Sequence, residues 1–549
     1  MVLSLMSSLR YLAGLIALLF ALPLSAEDLS MTLRTQQETK PGSGRYHRLT
    51  REESWRPEHT AIIVCDMWNL HGCRNAVLRG QEFAPRLNDL LAKARAEGVT
   101  IIHAPSGCMG FYADHPARKR AQATPKAADV PEGITSWCYQ IPSEEMDNYP
   151  LDQSDGGVDD DPEEHAAWAA ELSKISDKPR TPWTRQTELL TIDPEQDFIS
   201  DKGDEVWSIL SAGEIDNVIL TGVHTNMCVL GRPFGLRQLA QHGKNVVLMR
   251  DMTDTMYNPK SWPFVSHFTG TDRIVSHIEK YVCPTVTSDQ ILGGEAFTYA
   301  KDNRPHVVIV MAEDEYETNQ TLPEFASSYL GKDFRVSYVY GSETERNDIP
   351  GLDEALESAD VLLLSVRRRA LPPQQMEAVR SYISAGKPVI GIRTACHAFG
   401  LRGASPPTGT ETWEKFDPEV FGGNYHGHHN NKITSQVSVI EEAQESPLLT
   451  GISAEPFTQQ GSLYQVSPLA DGTSVLMTAA IEGQPAEPVA WTFTRADGGK
   501  SFFTSLGHKT DFDNPAFQRL LLNSVYWAAG REVPEAFDLT KYEPPMKKI

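Results

Sequence analysis

From residue 61 onward, short apolar runs alternate with segments whose apolar residues recur at helical spacing. Residues 61–65 (AIIVC) form such a run, and 86–97 follow with Leu87, Leu90, Leu91 and Ala94 on one face before Gly98 and a second run at 99–103. A strand that is apolar at every position is buried on both faces, which is the mark of a parallel sheet covered by helices. A second unit has a helix at 204–210, a strand at 217–221, a helix after Cys228 and a strand at 245–249, and the pattern closes near Gly294. After a polar linker at 299–304 the alternation restarts, with strands predicted at 307–311, 335–340, 361–365 and 388–392. Two further strands fall within 489–506, and an amphipathic helix covers 515–529. No internal repeat relates the halves. The pattern therefore predicts an α/β protein of two doubly wound, Rossmann-like parallel-sheet domains, 27–300 and 305–535, that fold separately, with a tail at 536–549.

The first 26 residues stand outside this pattern. Arg10 precedes an apolar run at 11–24, and Ser25 and Ala26 follow it. The run is shorter than the roughly 20 residues a bilayer span needs, so it predicts a cleavable signal peptide, an exported (periplasmic or secreted) protein and no membrane span after cleavage. A formal charge of −23 argues against binding nucleic acid or anionic lipid. Seven cysteines is an odd number, so an oxidising compartment leaves at least one thiol free or paired with another chain. The acidic stretch within 142–174, including SDGGVDDD at 154–161, predicts a solvated surface loop. Asp152, Asp155, Asp159, Asp160 and Asp161 were weighed as a calcium cradle, but their spacing does not match an EF-hand.

Two positions carry candidate chemistry in the first half. Asp66 stands at the carboxyl end of the first parallel strand, where open α/β sheets bind ligands. Cys228 follows the strand at 217–221 and is predicted to open a helix, whose N-terminus would lower the thiol pKa. Asp66 and the segment TGVHTNMCV (221–229) resemble the isochorismatase-like cysteine hydrolase superfamily over residues 55–285. The resemblance implies an Asp-Lys-Cys triad, with Asp66 as base and Cys228 as nucleophile, and a cis peptide joining Val223 to His224 beside the substrate and oxyanion. Lys202 in DFISDK fits the family lysine and Arg185 is the alternative. An Asp-x-His metal motif is missing, so His71, His103 and His115 are read as ordinary histidines, with no metal and no cofactor. The implied activity is cleavage of a C–N bond in a small amide or carbamoyl compound through a thioester. The alternative is a catalytically silent protein that binds small, carbohydrate-related ligands in both domains; a third reading has only the second domain catalytic.

In the second half, GIRTACHAF, FGGNYHGHH and SLGHKTDF bring polar side chains to predicted strand ends. Arg393, His397, His426, His428, His429 and His508 are the ligand candidates. With VLLLSVRRR and NSVYWAAG these segments resemble the ThuA-like (trehalose-utilisation) family over 305–532, whose fold is similar to class I glutamine amidotransferases. Arg393 replaces a histidine common in that family. The resemblance implies a carbohydrate-related ligand. Cys396 lacks the glycine two residues on that an amidotransferase elbow needs, since Ala398 stands there, and is read as packing. The expected partners are thus a small amide and a carbohydrate; self-association into a homo-oligomer stays open.

Overall fold

The computed structural model describes residues 27–145, 148–431 and 433–542. The signal-peptide reading of 1–26 lies outside these residues, and among them no helix is long and apolar enough to cross a membrane. Two large sheets with interleaved helices give the expected α/β fold.

The first sheet contains β1 (Leu29–Glu38), β2 (Tyr46–Trp55), β3 (Thr60–Cys65), β4 (Thr100–Ala104), β5 (Phe198–Ile199), β6 (Asn217–Val223), β7 (Asn245–Asp254) and β8 (Thr285–Val286). Their order is β2-β1-β8-β7-β6-β3-β4-β5, parallel from β8 to β5. Every residue of β3 is buried, as its unbroken apolar run requires. The chain passes from β3 to β4 on one side and later returns as β6 on the other. The carboxyl ends of β3 and β6 therefore flank the point where the winding reverses, the place where such sheets leave a crevice.

Helix α1 (Arg74–Ala96) starts twelve residues before the predicted one because it runs through Pro85. An internal proline removes a backbone bond, but Phe83, Ala84, Leu87, Leu90, Leu91 and Ala94 are all buried against the sheet and hold both sides of it. The N-terminal end of α1 has no local cap. Asp160 supplies one from the acidic stretch, accepting the Arg74 and Asn75 N–H groups at 2.9 and 2.8 Å.

The β1–β2 hairpin was not predicted, because its residues are largely polar. It pairs antiparallel to β8 and reaches the other half, where Arg48 Nη1 donates to Ser337 Oγ at 2.9 Å and Arg45 pairs with Glu343 at 2.7 Å. The linker is also anchored: Tyr299 packs on Phe83, Phe268 and Phe297, and its hydroxyl donates to Thr253 O. The expectation of a bare linker without core residues is corrected by these contacts.

The second sheet continues the numbering: β9 (His306–Ala312), β10 (Arg335–Tyr340), β11 (Val361–Val366), β12 (Val389–Ile392), then β13 (Gly427–His428), β14 (Ser435–Val439), β15 (Phe457–Gln459), β16 (Tyr464–Gln465), β17 (Thr473–Ala480), β18 (Glu487–Thr494) and β19 (Lys500–Thr504). Strands β10-β9-β11-β12-β19 are parallel, and β18-β17-β14-β15 extend the sheet antiparallel; β13 and β16 form a separate ribbon. The closing helix Pro515–Ala528 packs its apolar face into this core. Phe537 and Leu539, placed by sequence in the tail, return to the same core, where Leu539 O accepts the Tyr329 hydroxyl at 3.0 Å.

Candidate functional site

Asp66 follows β3 directly and is fully buried, with φ +49. Its Oδ1 accepts the Ser106 N–H at 2.6 Å, its Oδ2 accepts Arg232 Nε at 3.0 Å, and it hydrogen-bonds the Cys228 thiol. Burial raises the pKa of Asp66; the Arg232 charge and the thiol and amide hydrogen bonds oppose that rise.

Cys228 lies in the turn Thr225–Val229 after β6, and the peptide between Val223 and His224 is cis, as the resemblance implies. Asn226 locks the turn by exchanging two hydrogen bonds with Met256, while Thr225 Oγ1 donates to Asp254 O at 2.8 Å. Gly222, at φ +105, sits where β3 and β6 touch; a Cβ there would lie 2.0 Å from Cys65 O. This close approach brings Asp66 and Cys228 together.

Cys228 does not open the helix expected after it. A single π turn leads through Leu230 and Gly231, and the next helix begins only at Leu236. The thiol pKa also runs opposite to the expected depression: burial dominates and pushes it well above the ordinary thiol range, with the Asp66 charge adding to the rise. The Arg232 charge and a hydrogen bond from the His224 backbone N–H act in the opposite direction. The resting thiol is thus protonated and hydrogen-bonded to Asp66.

The cation on Asp66 is Arg232, which sequence reasoning missed. It stands four residues after Cys228, one helical turn on, and its guanidinium lies over the Trp137 ring at 5.2 Å. The residue-type signal was present in CVLGR, but family spacing drew attention elsewhere. Lys202 precedes the helix Gly203–Ala212 without a capping hydrogen bond and turns to Glu205 at 3.4 Å with 58% of its side chain exposed. Arg185 pairs with Glu188 at 2.6 Å. Neither makes an ion pair with Asp66.

The acidic stretch is solvated only in part: Ser154, Asp155, Gly156 and Asp161 are exposed, whereas Asp159 and Asp160 turn inward. Asp159 pairs with Arg79 and with His267, Arg79 also holds Asp254 at the end of β7, and His267 Nε2 bonds Asp254 Oδ1 at 2.9 Å. Asp155 accepts the hydroxyl of Ser261 and the amide of Asn258. Tyr149 and Gln153 bond Asn226 O, so this segment covers and braces the cysteine turn. Cys73, Asp159 and Asp160 come within metal-ligand distance of one another, but their oxygens already serve Arg79, His165, His267 and the α1 N–H groups. Added calcium is therefore expected to leave Tm unchanged, whereas Asp159→Asn should cost about 1–3 kcal/mol by unbalancing Arg79. Parallel thermal melts with and without calcium check both. His71 accepts the Cys73 N–H, His103 bonds Gln186 and Asp197, and His115 caps the helix Pro116–Ala123, so the three histidines hold separate structural positions.

In the second half, the ends of β9, β11, β12 and β19 face a cavity of about 410 Å³. Arg393, His397, His428 and His508 line it, whereas His429 and His426 do not; His426 lines an adjoining cavity of about 660 Å³. Arg393 forms the floor, with its guanidinium between the rings of Tyr316 and Tyr464 at 4.2 and 4.9 Å. His397 stacks on Tyr425 at 4.7 Å, and burial pushes its pKa down to about 3. Cys396 is buried, donates to Arg393 O at 3.3 Å, and burial pushes its thiol up. The tyrosines, Arg402 and Asp417 were not singled out from sequence, since they come from loops that only the fold gathers.

Comparison with known proteins follows this division. The second half, residues 306–528, matches the family model ThuA, described as trehalose utilisation. Among solved structures, a ThuA-like protein from Parabacteroides merdae is similar at 15% identity and TM-score 0.32, covering 43% of this chain and 93% of its own. A cysteine hydrolase from Pseudomonas syringae pv. phaseolicola is similar at 17% identity and TM-score 0.26, covering 43% and 92%. An isochorismatase family protein from Burkholderia thailandensis gives 15% identity, TM-score 0.24, and coverage of 42% and 93%. No curated protein matches the chain. What the comparisons identify is a ThuA domain at residues 306–528, built on the second sheet.

Proposed function

We propose that the first half is a cysteine hydrolase that cleaves a C–N bond in a small amide or carbamoyl compound. The observation that carries this reading is the contiguous line Cys228–Asp66–Arg232 at the reversal of the sheet. The thiol proton passes to Asp66 as sulfur bonds the substrate carbonyl carbon. Asp66 then gives the proton to the departing nitrogen, the C–N bond breaks and a thioester remains. Water, deprotonated by Asp66, adds to the thioester; the acid leaves and the proton returns to sulfur. Arginine cannot exchange a proton at these pH values, so Asp66 carries the proton and Arg232 holds its charge and orientation. The His224 N–H stabilises sulfur as it becomes a thiolate, and Val223 borders the carbonyl.

The test is a panel of small amides and carbamoyl amino acids given to the full chain, with mass spectrometry of the Cys228 peptide for an acyl adduct. An adduct together with released amine supports the reading. The rival, a silent binding protein, draws on the protonated resting thiol; it gains if no amide yields an adduct. Lys202→Met should leave kcat/KM within about fivefold of wild type, because an exposed ion pair contributes at most about 1 kcal/mol. A hundredfold loss would make Lys202 the working cation instead.

We also propose that the second half holds a carbohydrate-related ligand, supported by the faces of Tyr316, Tyr425 and Tyr464 around one cavity, since flat apolar rings suit the faces of sugars. The chain is proposed to act after export.

A further inference from the structure

The cavity of the ThuA domain is lined by more cationic charge than its own carboxylates can balance. Arg393 opens the turn after β12 at φ +48, and the residue is 1% exposed. Its Nη1 donates to Ser505 O at 2.6 Å and its Nη2 to Ser462 O and Oγ at 3.3 and 3.1 Å. Its Nε is buried without a hydrogen-bond partner, and the carboxylate whose charge reaches it, Asp511, makes no direct ion pair with it. Burial works against this guanidinium, but Tyr464, Tyr316 and the charge of Asp511 outweigh it and keep Arg393 cationic.

Neighbouring charges point the same way. Arg402 lines both this cavity and the adjoining one; it is exposed, and among the described residues it has no ion pair. Arg367 pairs with Glu315 at the rim, and its Nε is left without a partner. The adjoining cavity is lined by Arg368 and by Asp417, whose Oδ2 accepts the Tyr425 N–H at 2.9 Å. Burial pushes the Asp417 carboxyl up to about 7, so it cancels only part of the cationic charge. Glu414 is committed to the Leu401 N–H at 2.7 Å. This concentration of arginine stands out in a chain of formal charge −23, and cationic walls around a cavity focus the field onto an anion.

We propose that the ThuA-domain cavity recognises an acid sugar, its carboxylate held by Arg402 in the field of the buried Arg393 and its ring set against Tyr316, Tyr425 and Tyr464. Guanidinium groups match planar oxyanions by paired hydrogen bonds, which neutral sugars cannot offer. Phosphate and sulfate share that chemistry. The proposal rests on the reading that this cavity holds a carbohydrate.

Isothermal titration of the full chain at constant ionic strength tests it, with glucuronate and galacturonate against glucose and trehalose, and with inorganic phosphate and sulfate alone. The expected result is that an acid sugar binds at least about tenfold tighter than either neutral sugar, and that Arg402→Gln erases that difference. Arg402 is exposed, so its replacement keeps the fold; Arg393→Gln, accepted only if its thermal melt stays cooperative, should weaken the acid sugar further. Equal binding of neutral and acid sugars would overturn the anion assignment and leave the carbohydrate reading standing. Phosphate or sulfate binding that Arg402→Gln weakens, without any sugar binding, would uphold the oxyanion site and sink the carbohydrate reading. No binding of any anion overturns the proposal.

Discussion

Cys228→Ala is expected to lower C–N hydrolysis by the full chain by roughly four orders of magnitude or more, leaving only what binding and fixed dipoles contribute. In the proposed mechanism the sulfur both bonds the carbonyl carbon and passes its proton to Asp66, to which it is hydrogen-bonded, so its loss removes the reacting atom. Stability should fall by only about 1 kcal/mol, because the deletion removes a single buried atom. Asp66→Asn should also suppress turnover, yet its effect on the thiol should run the other way. The Asp66 charge raises the Cys228 pKa, so removing that charge lowers it. Alkylation of Cys228 by iodoacetamide, followed on its own peptide, should therefore be slow in the wild type at neutral pH and climb in alkali. In Asp66→Asn it should be faster at neutral pH. Turnover that survives in Cys228→Ala would end the thiol mechanism, and slower alkylation in Asp66→Asn would contradict the coupled pair.

Arg232→Met should be the second severe change, lowering kcat/KM by about a hundredfold and stability by about 2–3 kcal/mol at neutral pH. Breaking a buried pair costs about 3–5 kcal/mol, and the figure is reduced here because 25% of the Arg232 side chain meets solvent. The pH dependence follows from the direction of the Asp66 shift. Burial already raises its pKa and Arg232 restrains that rise, so the variant raises it further. A carboxyl with a raised folded pKa is easily accommodated once protonated and costs stability as pH climbs from its unfolded value through the folded one. The stability deficit should consequently be largest near pH 7 and shrink below about pH 4, the ordinary carboxylate range. Urea melts at the two pH values read this directly. In rate profiles the acidic limb should move to higher pH, because Asp66 must be ionised to accept the thiol proton. Arg232→Lys should recover part of both losses; a deficit independent of pH would mean that Arg232 acts by packing on Trp137 alone.

The interior strands were legible because burial on both faces leaves an unbroken apolar run. The predicted strands at 61–65, 217–221, 307–311 and 361–365 lie within Thr60–Cys65, Asn217–Val223, His306–Ala312 and Val361–Val366. The hairpin β1–β2 was not legible, since a partly exposed edge ribbon needs few apolar residues, and its Arg48 finds a partner in Ser337 of the other half. Likewise, α1 runs through Pro85 because packing on the sheet outweighs a local breaking signal.

By itself the sequence determined that Asp66 and Cys228 stand at strand ends, because strand period and motif spacing are local properties of the chain. Which strands become neighbours is set by long-range pairing, and only that pairing put Asp66 against Cys228 and made Arg232 their cation. Burial then reversed the expected shift of the thiol, because the cost of desolvating a charge depends on everything packed around it. The same holds for the acidic stretch: its charge was visible in the sequence, but only tertiary contacts turned Asp159 and Asp160 from solvated groups into the partners of Arg79 and the cap of α1. In the second half, Arg393 could be named from its strand-end motif, whereas its sandwich between Tyr316 and Tyr464 joins loops far apart in the chain. Local patterning specifies the elements; desolvation and charge pairing, which act through space, specify the chemistry of the site.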